Sequence, residues 1–194
     1  MSGSTGNQLY PIFLKMDKLQ MLIVGGGFVA AEKLNFLYKS SPNANVTIVA
    51  KDLNADVETV ADKLNAKVRL KAFENPDIEG FDIIIAATND KELNRAIWEQ
   101  ARLKQILINV ADTPDLCDFY LGGIVTKGDL KIAISTNGKS PTMAKRIREF
   151  LEDVLPDEMD DLLQNINTYR STLKATFDEK VKALNDLTAG FIKR

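Results

Sequence analysis

Histidine is missing altogether from the 194 residues, and cysteine occurs once. Without an imidazole the chain can build neither a Ser-His-Asp nor a Cys-His nucleophile, and no zinc site can draw on histidine. Cys117, alone, makes no intramolecular disulfide, no thiolate cluster and no CxxC pair, which fits a reducing, intracellular setting. An excess of one charge is lacking as well. The 25 Lys and Arg nearly balance the 27 Asp and Glu, leaving a net charge of -2, so no global basic field draws the chain to nucleic acid. Apolar runs such as Ile83–Ala87 are strand-sized, far short of the roughly 20 residues that span a bilayer. Met1 to Gln8 is small and polar, with neither the basic start nor the apolar stretch of a secretory signal. A cytoplasmic chain is expected, with neither nucleic acid nor membrane as partner.

What is present suffices for a packed core: 45% of residues are apolar and 27% charged. Leu19–Val24 is a short apolar run that ends in three glycines, and Val29 to Tyr38 then takes helical spacing. Val46–Ala50 reads as a second strand, and Asp56–Asn65 as a helix with Val57, Val60, Ala61 and Leu64 on one face. Val68–Phe73 is a third strand candidate. Phe81–Ala87 is a fourth, continuously apolar, as suits a parallel strand covered on both faces. Lys91–Leu103 reads as helix and Ile106–Ala111 as a fifth strand. Such alternation predicts a Rossmann-like, doubly wound parallel sheet in an α/β fold. The pattern then changes. Gly122–Thr126 and Leu130–Thr136 flank Lys127-Gly128-Asp129 as a hairpin, and from Pro141 onward the spacing is helical with a break near Pro156. Residues 122–150 hold six basic side chains against two acids, whereas residues 151–194 hold nine acids against six bases.

Gly25-Gly26-Gly27-Phe28-Val29-Ala30 fits G-x-G-x-x-A directly between a strand and a helix. The glycines allow a tight turn and close approach to a pyrophosphate, and the helix start offers N–H groups to it, which points to a dinucleotide. At the end of the second strand, Asp52 either holds a ribose hydroxyl or caps the next turn, and Lys51 beside it would tolerate a 2′-phosphate. Ala86-Ala87-Thr88-Asn89-Asp90 lies at the sheet edge where open α/β sheets bind ligands, and Asn89 or Asp90 also suits a helix N-cap. Asp112, just past the fifth strand on that edge, is the natural candidate for proton transfer in a chain without histidine, while the local sequence alone favours a turn-forming Asp before Thr-Pro. Ser140-Pro141 is an N-cap and first-turn pair. Lys139, Lys145, Arg146 and Arg148 around it form either a solvated face or a surface for a polyanion.

Taken in order, Tyr10-Pro11-Ile12-Phe13-Leu14, the glycine motif with Lys33, Ala86–Asp90, Asn109-Val110-Ala111-Asp112 and Ser135–Pro141 resemble the N-terminal module of the siroheme synthase family, in its stand-alone form. That module is a precorrin-2 dehydrogenase, in some members also a sirohydrochlorin ferrochelatase. The resemblance implies NAD as cofactor, a tetrapyrrole substrate, and ferrous iron as a second substrate where metal insertion occurs, with no resident metal site. It implies a homodimer formed through the segment after the sheet. The expected domains are residues 1–112 for NAD, 113–150 for dimerisation and the substrate cleft, and 151–194 as a helical C-terminal domain. By matching, Asp112 falls on the catalytic general base. Gly25, Gly27, Phe28, Val29, Lys51, Asp52, Thr88 and Asn89 fall to the cofactor. Ser140, Lys139, Lys145 and Arg146 fall to the substrate, with Ser140 on a serine that is phosphorylated in some relatives. The competing expectation is a non-enzymatic nucleotide-sensing module, since this type of sheet alone does not establish catalysis.

Overall fold

In the computed structural model, residues 6–191 are described, and the chain divides into two compact units, one up to Leu121 and one from Gly122 onward. The first unit carries five parallel strands: β1 (Gln20–Val24), β2 (Asn45–Ala50), β3 (Lys67–Leu70), β4 (Ile83–Ala86) and β5 (Leu107–Val110). Their spatial order is β3-β2-β1-β4-β5, so the chain winds outward from β1 in both directions. Helices α1 (Phe28–Ser40), α2 (Ala55–Lys63) and α3 (Lys91–Leu103) connect the strands.

Burial on both faces explains the unbroken apolar strands. Ile23, Ile48 and Ile85 face the core under α1 and α2, whereas Leu22, Val49 and Ile84 face the core under α3. The helix expected over Asp56–Asn65 is observed as Ala55–Lys63, with Val57, Val60 and Ala61 buried in it and Leu64 buried at its C-cap. Strands come out shorter than their apolar runs. β3 stops at Leu70, because the Lys71 N–H, after its last ladder bond to Ala50 O, also closes a tight turn on Arg69 O and the Lys71 ammonium reaches Asp77; β4 starts at Ile83, because Asp82 accepts from the Gln20 N–H at 2.8 Å and closes the strand's entry.

The second unit opens with the expected hairpin, β6 (Gly123–Lys127) and β7 (Leu130–Ile134), antiparallel with Lys127 opposite Leu130. Its two-residue tip is held by Asp160, whose carboxylate accepts from the Asp129 N–H at 2.8 Å. The run expected to Thr136 ends at Ile134, because Thr136 leaves the ladder to pair with Ser140. Three helices follow: α4 (Pro141–Val154), α5 (Met159–Thr172) and α6 (Phe177–Thr188). Pro156 lies in the break between the first two, and Thr176 with Glu179 forms a capping box at the start of the third. The hydrogen bonds from Thr176 hold the Glu179 carboxyl below its ordinary range. No helix among the described residues is long and apolar enough to cross a membrane.

The central strand bears on both cores, so truncating it is the most direct test of the layer order. Leu22 is fully buried. Leu22→Ala is expected to destabilise the first unit by about 3 kcal/mol, within the range for leucine truncations that leave a cavity, read as a lower urea midpoint with an unchanged slope.

Candidate dinucleotide site and the Asp112 turn

Parallel register sets the geometry of the site. Val24 pairs with Ala86, and Ala86 with Val110, so the chain leaves β1, β4 and β5 at Gly25, Ala87 and Ala111 side by side. The Ala87 N–H reaches Val24 O at 2.8 Å, and the Ala111 N–H reaches Ala86 O at 2.9 Å. The chain reverses its winding between β1 and β4, and open α/β sheets bind ligands in the crevice at such a point. Asp112 therefore emerges two strands from the glycine turn, about 10 Å away at the usual spacing.

The three glycines have separate tasks. Gly25 sits at φ +124°, and a Cβ there would lie 2.3 Å from the Ala87 carbonyl oxygen, so the end of β4 presses directly on the turn. A Cβ on Gly26 would lie 1.9 Å from Asp52 O. Gly27 is different: a Cβ there would meet no protein atom within 4 Å. It is the N-cap of α1 without any side-chain cap, and the Ala31 N–H is the first to bond back, to Gly27 O. The N–H groups of Phe28, Val29 and Ala30 therefore lack intrahelical acceptors and face an open cradle at the positive end of the helix. That cradle fits a dinucleotide pyrophosphate. Phe28 stands 81% exposed beside it.

At the end of β2, Lys51 and Asp52 are exposed. The capping role open to Asp52 belongs instead to Asn54, whose Oδ1 accepts from the Val57 N–H at 2.8 Å while its own N–H donates to Gly26 O at 2.9 Å. The Asp52 carboxylate thus stays out of the cap. After β4, Asp90 caps α3 through the Leu93 N–H, leaving Asn89 exposed. Thr88 is already engaged. Its hydroxyl, N–H and carbonyl all pair with the side chain of Asn94, at 2.7, 3.3 and 3.0 Å.

Asp112 is exposed and sits at φ +57° as the third residue of a turn closed by the Thr113 N–H on Val110 O. The turn is bracketed from below. Cys117 Sγ accepts from the Val110 N–H and lies within hydrogen-bond distance of the Val110 and Thr113 carbonyls. Burial pushes its thiol above the ordinary range, which disfavours thiolate and fits a structural rather than nucleophilic cysteine. Asp118 completes the bracket: its N–H and carboxylate pair with Ile108 O and N–H along the outer edge of β5, and Arg102 holds the other carboxylate oxygen at 2.8 Å. Asn109 reaches Phe119 O at 2.8 Å.

In the second unit, Thr136, Asn137, Gly138 and Lys139 form a tight turn with both central residues at positive φ, closed by the Lys139 N–H on Thr136 O. Ser140 Oγ caps α4 through the Met143 N–H at 3.2 Å. Lys145, Arg146 and Arg148 all converge on the single carboxylate Glu149, with Arg148 also paired to Glu152; Lys139 is exposed. Among the described residues, no group of three His, Cys, Asp or Glu side chains gathers to hold a metal.

Asn94, Asn54 and Asp118 were missed from sequence. Asn94 carried a readable sign, since it falls on the buried stripe of α3 with Ile97 and Ala101, where an apolar residue is the norm. Asp118 carried none, because its partners arrive through tertiary structure.

A family model described as putative NAD(P)-binding matches residues 12–123. The chain belongs to that family. A second model, described as the central part of a sirohaem biosynthesis protein, matches residues 127–153. Siroheme synthase of Methylococcus capsulatus is 39% identical over 169 residues, 87% of this chain and 35% of the relative; that of Pseudoalteromonas atlantica is 35% identical over 175 residues, 90% and 37%. The chain thus spans about a third of the length of the curated relatives it matches. A solved structure titled SirC, precorrin-2 dehydrogenase, superimposes with a TM-score of 0.72 at 25% identity, covering 92% of this chain and 89% of that one. The expected fold, a Rossmann-like sheet followed by a hairpin and a helical region, is the observed one.

The contrast between the glycines is testable. Gly27→Ala is expected to fold with an unchanged far-ultraviolet spectrum while its methyl occupies the cradle, weakening NAD+ binding by about tenfold or more by calorimetry, the equivalent of one lost charge-assisted hydrogen bond. Gly25→Ala, driven into Ala87 O, is expected to lower the melting temperature and the soluble yield.

Proposed function

We propose that the chain is a precorrin-2 dehydrogenase, oxidising the reduced tetrapyrrole precorrin-2 to sirohydrochlorin with NAD+ in siroheme biosynthesis. The observation that carries this reading is extent: the likeness to the precorrin-2 dehydrogenase structure runs over both units, whereas a nucleotide-binding sheet alone serves many functions. NAD+, when bound, supplies the hydride acceptor. The chain's own groups do the rest. Gly25, Gly27, Phe28 and Val29 seat the pyrophosphate on the α1 N-terminus, and Asn89 and Thr88 line the neighbouring loop. Asp52, free of the cap, takes a ribose hydroxyl, which favours NAD over NADP, with Lys51 beside it.

Asp112 serves as the general base. One hydride and one proton leave the substrate in the two-electron oxidation, and the proton goes to this carboxylate before reaching water. A non-glycine residue held at positive φ in a bracketed turn supports that role, since such conformations persist where the surroundings enforce them. Lys139, Lys145 and Arg146, with Ser140, are assigned to the substrate carboxylates, because the two glutamates at 149 and 152 leave the cations at 145, 146 and 148 a surplus of positive charge.

Incubation with precorrin-2 and NAD+ is expected to yield sirohydrochlorin absorbance and NADH in equal amounts. No turnover with authentic substrate would refute the reading. Asp112→Asn, which keeps the size and the tolerance of positive φ, is expected to lower kcat by about a hundredfold or more, the usual contribution of a general base, with NAD+ affinity unchanged. Retained turnover removes Asp112 from that role.

The same reading includes a cytoplasmic homodimer. Met143, Ile147, Phe150 and Val154 follow one another at heptad-like spacing along α4 and are 54, 38, 63 and 50% exposed, a stripe suited to a second copy. Phe150→Glu is expected to convert the dimer to a monomer by light scattering; an unchanged mass places the contact elsewhere.

A further inference from the structure

We propose that Asn94 is the positioning residue of the dinucleotide cleft, setting the loop after β4 against the glycine turn and through it the affinity for NAD+. This rests on the dinucleotide reading of the cleft and not on the identity of the tetrapyrrole.

Asn94 is 5% exposed and shares its stripe on α3 with Ile97 and Ala101, both fully buried. A buried amide there costs free energy unless its groups are satisfied. They are satisfied by one residue only. Oδ1 accepts from the hydroxyl and N–H of Thr88, and Nδ2 donates to the Thr88 carbonyl. The helix does not need Asn94 to start, because Asp90 already caps it through Leu93. An apolar side chain would serve the packing of α3 equally well. What only an amide provides is simultaneous donor and acceptor contact with a loop residue whose backbone has left the sheet.

The peptide so gripped is the one that touches the glycine turn. Ala87 is tied on one side by its N–H to Val24 O, and its carbonyl fills the space where Gly25 would carry a Cβ. Displacement of the 87–88 peptide therefore moves the wall against which the turn rests, and Gly27 lies two residues along that turn. Asn89, exposed and next in sequence to Thr88, moves with the same peptide. Asn94 touches neither a phosphate nor a reacting atom on this account. It acts through Thr88 and Ala87.

The test compares the full chain with Asn94→Ala, Asn94→Leu and Thr88→Val. NAD+ binding is titrated by calorimetry, alongside melting temperature and steady-state kinetics with precorrin-2. The expected result is a dissociation constant for NAD+ raised about tenfold in both Asn94 variants, as for one or two lost hydrogen bonds, and by a smaller factor in Thr88→Val. The KM for NAD+ rises in parallel, while kcat at saturating NAD+ stays within about twofold, the signature of lost binding rather than lost chemistry. A variant that melts earlier yet binds NAD+ like the parent overturns the proposal, since a purely structural role predicts that result. Should the Asn94 variants fail to fold, an unchanged NAD+ affinity in Thr88→Val overturns it. A parent chain that binds neither NAD+ nor NADP+ overturns the dinucleotide reading itself. A parent that binds NAD+ without oxidising precorrin-2 removes only the substrate assignment, and the binding comparison then decides the role of Asn94.

Discussion

The contact between Gly25 and the Ala87 carbonyl is the constraint on which the rest of the site depends. Parallel strands β1 and β4 leave the sheet in register, and a side chain at position 25 would stand where that carbonyl is. With both backbones that close, the turn folds flat over the end of β4 and delivers Gly27 to the start of α1 with empty space above it. The open cradle is thus a consequence of tight packing two residues earlier. A glycine-rich string only permits this arrangement; the apolar burial of β1 and β4 on both faces enforces it.

Around that contact, polar groups hold the loops. The Asn54 backbone N–H fastens the β2 loop to Gly26, the buried Asn94 amide fastens the β4 loop at Thr88, and Asp118 fastens the stretch after β5 to its outer edge. Each satisfies backbone groups that the sheet ladder leaves unpaired, where water would otherwise have to serve them. The third of these has a second effect, because pairing along β5 also covers an edge strand. Division of labour follows. Aliphatic residues fix where the strands are, and a few amides and carboxylates fix where the loops point.

The second unit is organised differently. Its hairpin is short and, among the described residues of this unit, only Val125, Ala144 and Met159 are buried apolar side chains, so little apolar area holds it together. Specific contacts stand in for a large core: Asp160 at the hairpin tip, Lys127 with Asp157, Thr136 with Ser140, and the capping box of α6. Large side chains left exposed along α4 follow from the same scarcity.

Strand and helix order, the hairpin around Gly128 and the break at Pro156 were legible in the sequence, because apolar periodicity and glycine or proline punctuation are local properties. So was the glycine motif, whose meaning rests on the strand before it and the helix after it. The proposal of Asp112 as base came from the resemblance to a known family; the local sequence alone favoured a turn. Tertiary structure decided what each candidate is free to do. It engaged every polar group of Thr88 and brought Asp118 to the edge of β5, whereas the Asn54 cap of α2 and the pairing of the α4 cations with Glu149 are local contacts within four residues. The physical reason is reach: periodicity reports which side of an element is buried, whereas a hydrogen bond between Asn94 and Thr88, or between Asp118 and Ile108, exists only once the chain has brought both ends together.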